Sequence, residues 1–176
     1  MGGGLAADID PRHRGYEAWG GPGALRSAEG LEIGPKPRSG RWAIWWDGDL
    51  LRELLSGTSV NKWDWQTGRE NRLFGGSGRR GPNMAGDLLG DWREEMLVTS
   101  PDGRSLRLYT TTIPTEHRIY TLMHDPQYRL SMAWQNVVYN KPPHPGFFLG
   151  HSMAAPPRPS IRVIGQGEAL AGFKAN

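Results

Sequence analysis

Residues 115–148 read TEHRIYTLMHDPQYRLSMAWQNVVYNKPPHPGFF, and the amides and aromatics late in this stretch are side chains suited to chemistry. Asn136 and Asn140 carry uncharged carbonyl oxygens, and Tyr139 between them has a flat face with a polar tip. Such groups suit a hard cation or a sugar ring, and the same amides also cap strand ends. A second cluster is Asp8-Ile9-Asp10-Pro11, with Glu17 downstream. Alternate carboxylates at a strand end gather Ca2+ around one loop, and they serve equally as solvated turn residues ahead of a proline. In Gly90-Asp91-Trp92-Arg93-Glu94-Glu95, Asp91 is placed to cap or ligate and Arg93 to pair with an acid; an exposed ion pair at a strand entry reads the same way. The loop GGSGRRGPN, residues 75–83, combines glycines that admit a ligand to the backbone with the fixed charges of Arg79 and Arg80. A plain surface loop has that composition too.

The elements that must position these groups are short strands. LAADID (5–10) and YEAWG (16–20) flank PRHRG, and RWAIWWD (41–47) is apolar and aromatic between its charged ends, as a buried strand is. VNKWDW (60–65) and NRLF (71–74) read as hairpin partners, as do EEMLVTS (94–100) and LRLYTTT (106–112) across PDGR. RIYTLM (118–123) and RLSMAWQN (129–136) read as another strand pair across HDPQY, while LLRELL (50–55) fits a helical turn or a strand. Long helical segments are missing, so the fold class is mainly β, a propeller-like or sandwich-like stack of antiparallel units.

Composition sets the remaining bounds. The chain has 176 residues, enough for one ordinary domain or a few units of a repeat. It has no cysteine, which excludes disulfides and thiolate metal sites. No apolar run spans a bilayer, and MGGGLAADIDP lacks the basic and apolar regions of a signal peptide. Net charge is +3, with basic residues scattered rather than clustered, which disfavours nucleic acid and leaves polyuronate open. Eight tryptophans against four phenylalanines offer sugar-stacking faces, although indoles also fill cores.

The segments LAADIDPRHRGYEAWG, IWWDGDLLRELLSGT, KWDW, LLGDWREE, TTTIPTEHRIYTLMHDPQYRLSMAWQN and YNKPPHPGFFLG, in that order, resemble the C-terminal part of the rhamnogalacturonan lyases of polysaccharide lyase family 11. The resemblance covers residues 5 to 150. It implies an incomplete β-propeller, the last blades of an eight-bladed ring. It also implies Ca2+ as cofactor, an extracellular location, and cleavage of the rhamnose–galacturonate backbone of pectin by β-elimination. Residues 1–176 are then a single region, with 151–176 an irregular tail. The family tends to carry Asn-Gly-Thr-Lys where this chain has Gly76, Ser77, Gly78 and Arg79; the resemblance implies that these contact the sugar chain. It further implies a substrate contact at Tyr139, and a Ca2+ site from Asn136, Asn140 and the Val138 carbonyl, with Asp8 and Asp10 as a second site.

The elimination removes the proton on C5 beside a carboxylate. Cations on that carboxylate stabilise the developing charge, and a separate base takes the proton. Arg79 suits the first role, because a guanidinium stays protonated. Lys62 is the nearest other lysine in sequence. The expected partner is rhamnogalacturonan I, with no nucleic acid and no membrane, and open blade edges are available for association. The expectation is a part of a lyase that is inactive as an isolated chain. The competing expectation is a non-catalytic Ca2+- or glycan-binding β module, or an orphan gene fragment.

Overall fold

The computed structural model describes residues 3–135, 137 and 141–160. Among them, eleven strands form three antiparallel meanders. The first runs in order β1 (Gly4–Ala7), β2 (Glu17–Gly20), β3 (Leu25–Arg26), β4 (Glu32–Gly34). The second runs β5 (Ala43–Ile44), β6 (Glu53–Ser56), β7 (Ser59–Asp64), β8 (Arg69–Gly75). The third has β10 (Glu95–Thr99) between β9 (Met84–Gly86) and β11 (Leu106–Tyr109).

Successive residues of a strand face opposite sides of its sheet, and strands β5 to β7 of the middle meander send buried side chains to both, while β8 is mostly exposed. Ala43, Leu54 and Trp63 pack with Leu5, Ile9, Trp19 and Leu25 of the first meander. Their neighbours Ile44, Leu55 and Val60 pack with Ala85, Met96 and Val98 of the third. That two-sided burial is why Trp42–Trp46 is continuously apolar, although only Ala43–Ile44 pairs as strand. The LLRELL segment resolves as strand from Glu53, and the hairpins across residues 64–69 and 99–106 form as their turn chemistry predicts.

Neighbouring meanders are joined twice in the same manner. The backbone N–H of Arg52, just before β6, donates to the Asp8 carbonyl, just after β1, at 2.8 Å. The N–H of Glu94, just before β10, donates to the Trp45 carbonyl, just after β5, also at 2.8 Å.

The strand pair expected over 118–123 and 129–136 is not there. The chain instead makes a 3₁₀ turn, Leu122–His124, and the helix α1, Pro126–Trp134. Asp125 caps that helix by accepting from Tyr128 N at 2.8 Å, and Pro126 occupies its first turn, where a missing N–H costs nothing. Tyr128 and Met132, one turn apart, face a cluster with Trp45, Trp92, Leu122 and Leu149. Burial of that face, with the cap, outweighs the alternation that read as strand.

Candidate functional site

Two groups of chemically capable residues emerge at opposite ends of the strands. Register pairs Ser56 with Ser59 and Ser59 with Gly75, so the loop after β8 lies at the end where β6 finishes. This loop is pinned rather than loose. Gly76 N donates to the Thr58 carbonyl at 2.9 Å, and Thr58 Oγ1 returns a bond of 2.9 Å to the Gly76 carbonyl. The Tyr109 hydroxyl accepts from Ser77 N at 3.0 Å and donates to the Ser77 carbonyl at 2.8 Å. Arg79 N donates to the Thr99 carbonyl at 3.0 Å, and Asn83 N to that of Leu97 at 2.9 Å. Gly78 lies so close to the Val98 side chain that a Cβ there would overlap it, which requires glycine. The Arg79 side chain is exposed beside Gly103. The loop thus presents Gly76, Ser77, Gly78 and Arg79 on a fixed backbone.

The other end, where β6 begins, holds the acidic loops. One device recurs there in all three meanders. A buried glutamate opening the second strand accepts two consecutive backbone N–H groups from the end of the first. Glu17 Oε2 takes Ile9 N and Asp10 N at 2.9 and 3.0 Å. Glu53 Oε2 takes Trp46 N and Asp47 N at 2.8 and 3.1 Å. Glu95 Oε2 takes Leu88 N and Leu89 N at 2.9 and 3.0 Å. The sequence signal, missed in reading the chain, is a glutamate seven or eight residues after the first of these donors.

Asp8 and Asp10 sit at this acidic end, beside Arg52, and are not brought to the Gly76–Arg79 loop. Asp10 is committed to Arg12, with contacts of 2.8 and 2.6 Å; burial pushes its carboxyl up, but these bonds outweigh it and hold it below the usual range. Asp8 accepts from His151 N, leaving its Oδ1 buried without a partner, and Glu17 Oε1 is in the same condition. Burial pushes both carboxyls up to about 7. These two orphaned oxygens are donors of the kind a hard cation takes. Among the described residues, the one group of three close carboxylates is Asp47, Asp49 and Glu53, and Lys62 Nζ fills it, at 2.8, 2.7 and 2.6 Å respectively. Burial opposes the ammonium, but the three acids hold Lys62 above its ordinary value. That cluster therefore carries its own cation. Asn136, Val138, Tyr139 and Asn140 lie outside the described residues.

The raised carboxyls set a pH dependence. Asp8 and Glu17 bind a proton more tightly folded than unfolded, so their contribution to stability is full below the unfolded values and fades as pH rises through about 7. Without divalent cations, the melting temperature should fall between about pH 5 and about pH 8, and less steeply in Asp8→Asn. Thermal denaturation in a chelating buffer checks this; an unchanged slope in Asp8→Asn would remove Asp8 as a cause.

Comparison with known proteins matches residues 1–159 to the family described as rhamnogalacturonan lyase family 11, C-terminal domain. The chain is 53% identical over 169 residues to rhamnogalacturonan endolyase YesW of Bacillus subtilis, covering 92% of this chain and 27% of that protein. It is 44% identical over 189 residues to rhamnogalacturonan exolyase YesX of the same organism, covering 94% and 31%. The crystal structure of YesW superposes with a TM-score of 0.85, covering 89% of this chain and 28% of that one. A Bacillus licheniformis family 11 rhamnogalacturonan lyase, 50% identical, superposes at 0.86, covering 91% and 29%. The chain thus spans less than a third of the length of either curated relative.

Proposed function

The chain belongs to rhamnogalacturonan lyase family 11, to its C-terminal domain, and from that premise we propose that it forms part of an extracellular lyase that cleaves the rhamnose–galacturonate backbone of pectin by Ca2+-assisted β-elimination. The observation that carries this reading is the Gly75–Asn83 loop, whose hydrogen-bonded backbone holds the Arg79 guanidinium exposed and, among the described residues, outside any ion pair. In this role Arg79 neutralises the uronate carboxylate and lowers the cost of charge developing on C5. Gly76, Ser77 and Gly78 let the sugar chain approach the main chain, and Tyr139 supplies a stacking face.

Ca2+, when bound, supplies further positive charge at the uronate. Asn136, Asn140 and the Val138 carbonyl would hold that ion; Asp8 with Glu17, at the opposite end, offers oxygens suited to a second ion with a structural role, away from the uronate. Asp10 would have to leave Arg12 to join them. The recurring bonds between meanders and the repeated glutamate support reading each meander as a blade of a propeller.

A chimera tests the reading. Residues 1–159 of this chain replace the equivalent region of the Bacillus subtilis endolyase, and unsaturated uronate is followed by ultraviolet absorbance with rhamnogalacturonan I and Ca2+. We expect product, reduced about a hundredfold or more in Arg79→Ala. A folded chimera that releases none would overturn the proposal.

A further inference from the structure

The end of the molecule that carries Arg79 has a second feature. A cavity of about 620 Å³ opens there, within the usual size of a small-ligand site. Its walls are the approach to β5, including Arg38, Arg41 and Trp42, the Ser56 turn, and Gly81 and Pro82 from the far side of the Gly75–Asn83 loop. A hollow of about 490 Å³ continues from it past Arg38 and adds Lys36 and Arg69. The single acid lining either space is Glu70, and its carboxylate is already engaged by Ser39 N at 2.9 Å and Ser39 Oγ at 2.8 Å. Arg38 and Arg41 are exposed, and among the described residues neither is in an ion pair. Trp42 is 6% exposed, yet among the described residues its Nε1 has no acceptor. The cavity wall therefore holds two guanidinium groups outside any ion pair and one unsatisfied donor, against a single carboxylate that Ser39 already engages.

We propose that Arg38 and Arg41 form a second carboxylate-binding subsite for an acidic polysaccharide, separate from the Gly76–Arg79 loop and joined to it through Gly81 and Pro82. This rests on the reading of the chain as part of a lyase. A guanidinium matches a carboxylate with two parallel bonds, and Trp42 Nε1 offers a third donor for a ring hydroxyl or the same carboxylate. A backbone alternating rhamnose and galacturonate presents its carboxylates at a regular interval. Fixing one at Arg79 leaves the others to be met further along the chain, and the arginine-lined cavity lies on the same end of the strands. The opposite end is unsuited to such a ligand, because the acidic loops gather there around Glu17, Glu53 and Glu95.

The test is calorimetric titration of the chain with rhamnogalacturonan oligosaccharides and, separately, with a single-stranded oligonucleotide of equal charge. The Arg38→Gln, Arg41→Gln double variant should bind the oligosaccharide about tenfold more weakly, or worse, with its melting temperature unchanged. Equal affinity of variant and parent overturns the subsite, as does tighter binding of the oligonucleotide than of the oligosaccharide. An inactive chimera together with a weakened double variant would sink the catalytic reading alone and leave the subsite standing.

Discussion

Purified by itself, the 176-residue chain should release no unsaturated uronate above background from rhamnogalacturonan I in the presence of Ca2+. The elimination needs a base at C5, neutralisation of the adjacent carboxylate, and a cleft that holds the polymer against both. On the proposed reading, the end of the strands that carries Arg79 would supply the second and part of the third. Asp8 and Glu17, whose carboxyls burial raises to about 7, lie at the opposite, acidic end. The His144 ring is there too, 3.4 Å from Arg52 Nη1, and burial and that charge hold it down to about 4. Near Arg79, the Tyr109 hydroxyl is occupied on both sides by Ser77. A general base contributes about 10²–10⁴-fold, and orientation in a closed site contributes factors as large or larger, so their loss costs many orders of magnitude. Absorbance of the unsaturated product decides the matter. A clear rate from this chain that disappears in Arg79→Ala or Tyr139→Phe would show that the missing functions are within it after all.

Local pattern made the central hairpins legible. VNKWDW and NRLF pair as hairpin partners, and PDGR closes its hairpin with Gly103 at a positive φ that favours glycine. The same logic failed at HDPQY. Asp followed by Pro starts a turn or a helix with equal ease, and only the apolar shelf under Tyr128 and Met132 decides for the helix. Long-range placement was the larger loss. Lys62 stood out in the sequence only as the lysine nearest to Arg79, whereas β6 and the turn before it bring three carboxylates around its ammonium. Arg38 and Arg41 sit in an unremarkable PRSGRWA approach to β5; nothing local says that they border a cavity with Gly81. Asp8-Ile9-Asp10 and Arg79-Arg80 were both visible in the sequence, but their separation to opposite ends follows from strand register, which no single segment carries.

Glu94→Ala should be the most damaging single substitution in the fold. Its carboxylate is fully buried between the second and third meanders, 2.9 Å from Arg52 Nη2, which is fully buried as well. Glu94 Oε2 also accepts from Trp45 N at 3.1 Å, and Oε1 accepts from the Tyr128 hydroxyl at 2.6 Å, so one side chain ties two meanders to α1. Arg52 in turn donates to the Ala43 carbonyl at 3.0 Å and to that of Pro143 at 3.3 Å, and lies 3.9 Å over the Trp45 ring. Removing Glu94 leaves a guanidinium buried without its counter-charge and a hydroxyl and an N–H without acceptors. Breaking a buried pair from one side costs about 3–5 kcal/mol, a large part of the roughly 5–15 kcal/mol that stabilises a domain. For a chain of this length that is a drop in melting temperature of about 10 °C or more. Glu94→Gln keeps one acceptor, enough for Trp45 N, and turns an NH2 donor toward the Tyr128 oxygen, so it should fall between parent and Glu94→Ala. The double variant Arg52→Met, Glu94→Gln removes the stranded charge along with its partner, so its loss in urea denaturation should be smaller than the sum of the two single losses. If Glu94→Ala costs less than about 1 kcal/mol, or the double variant is simply additive, the pair is not the junction that its geometry describes.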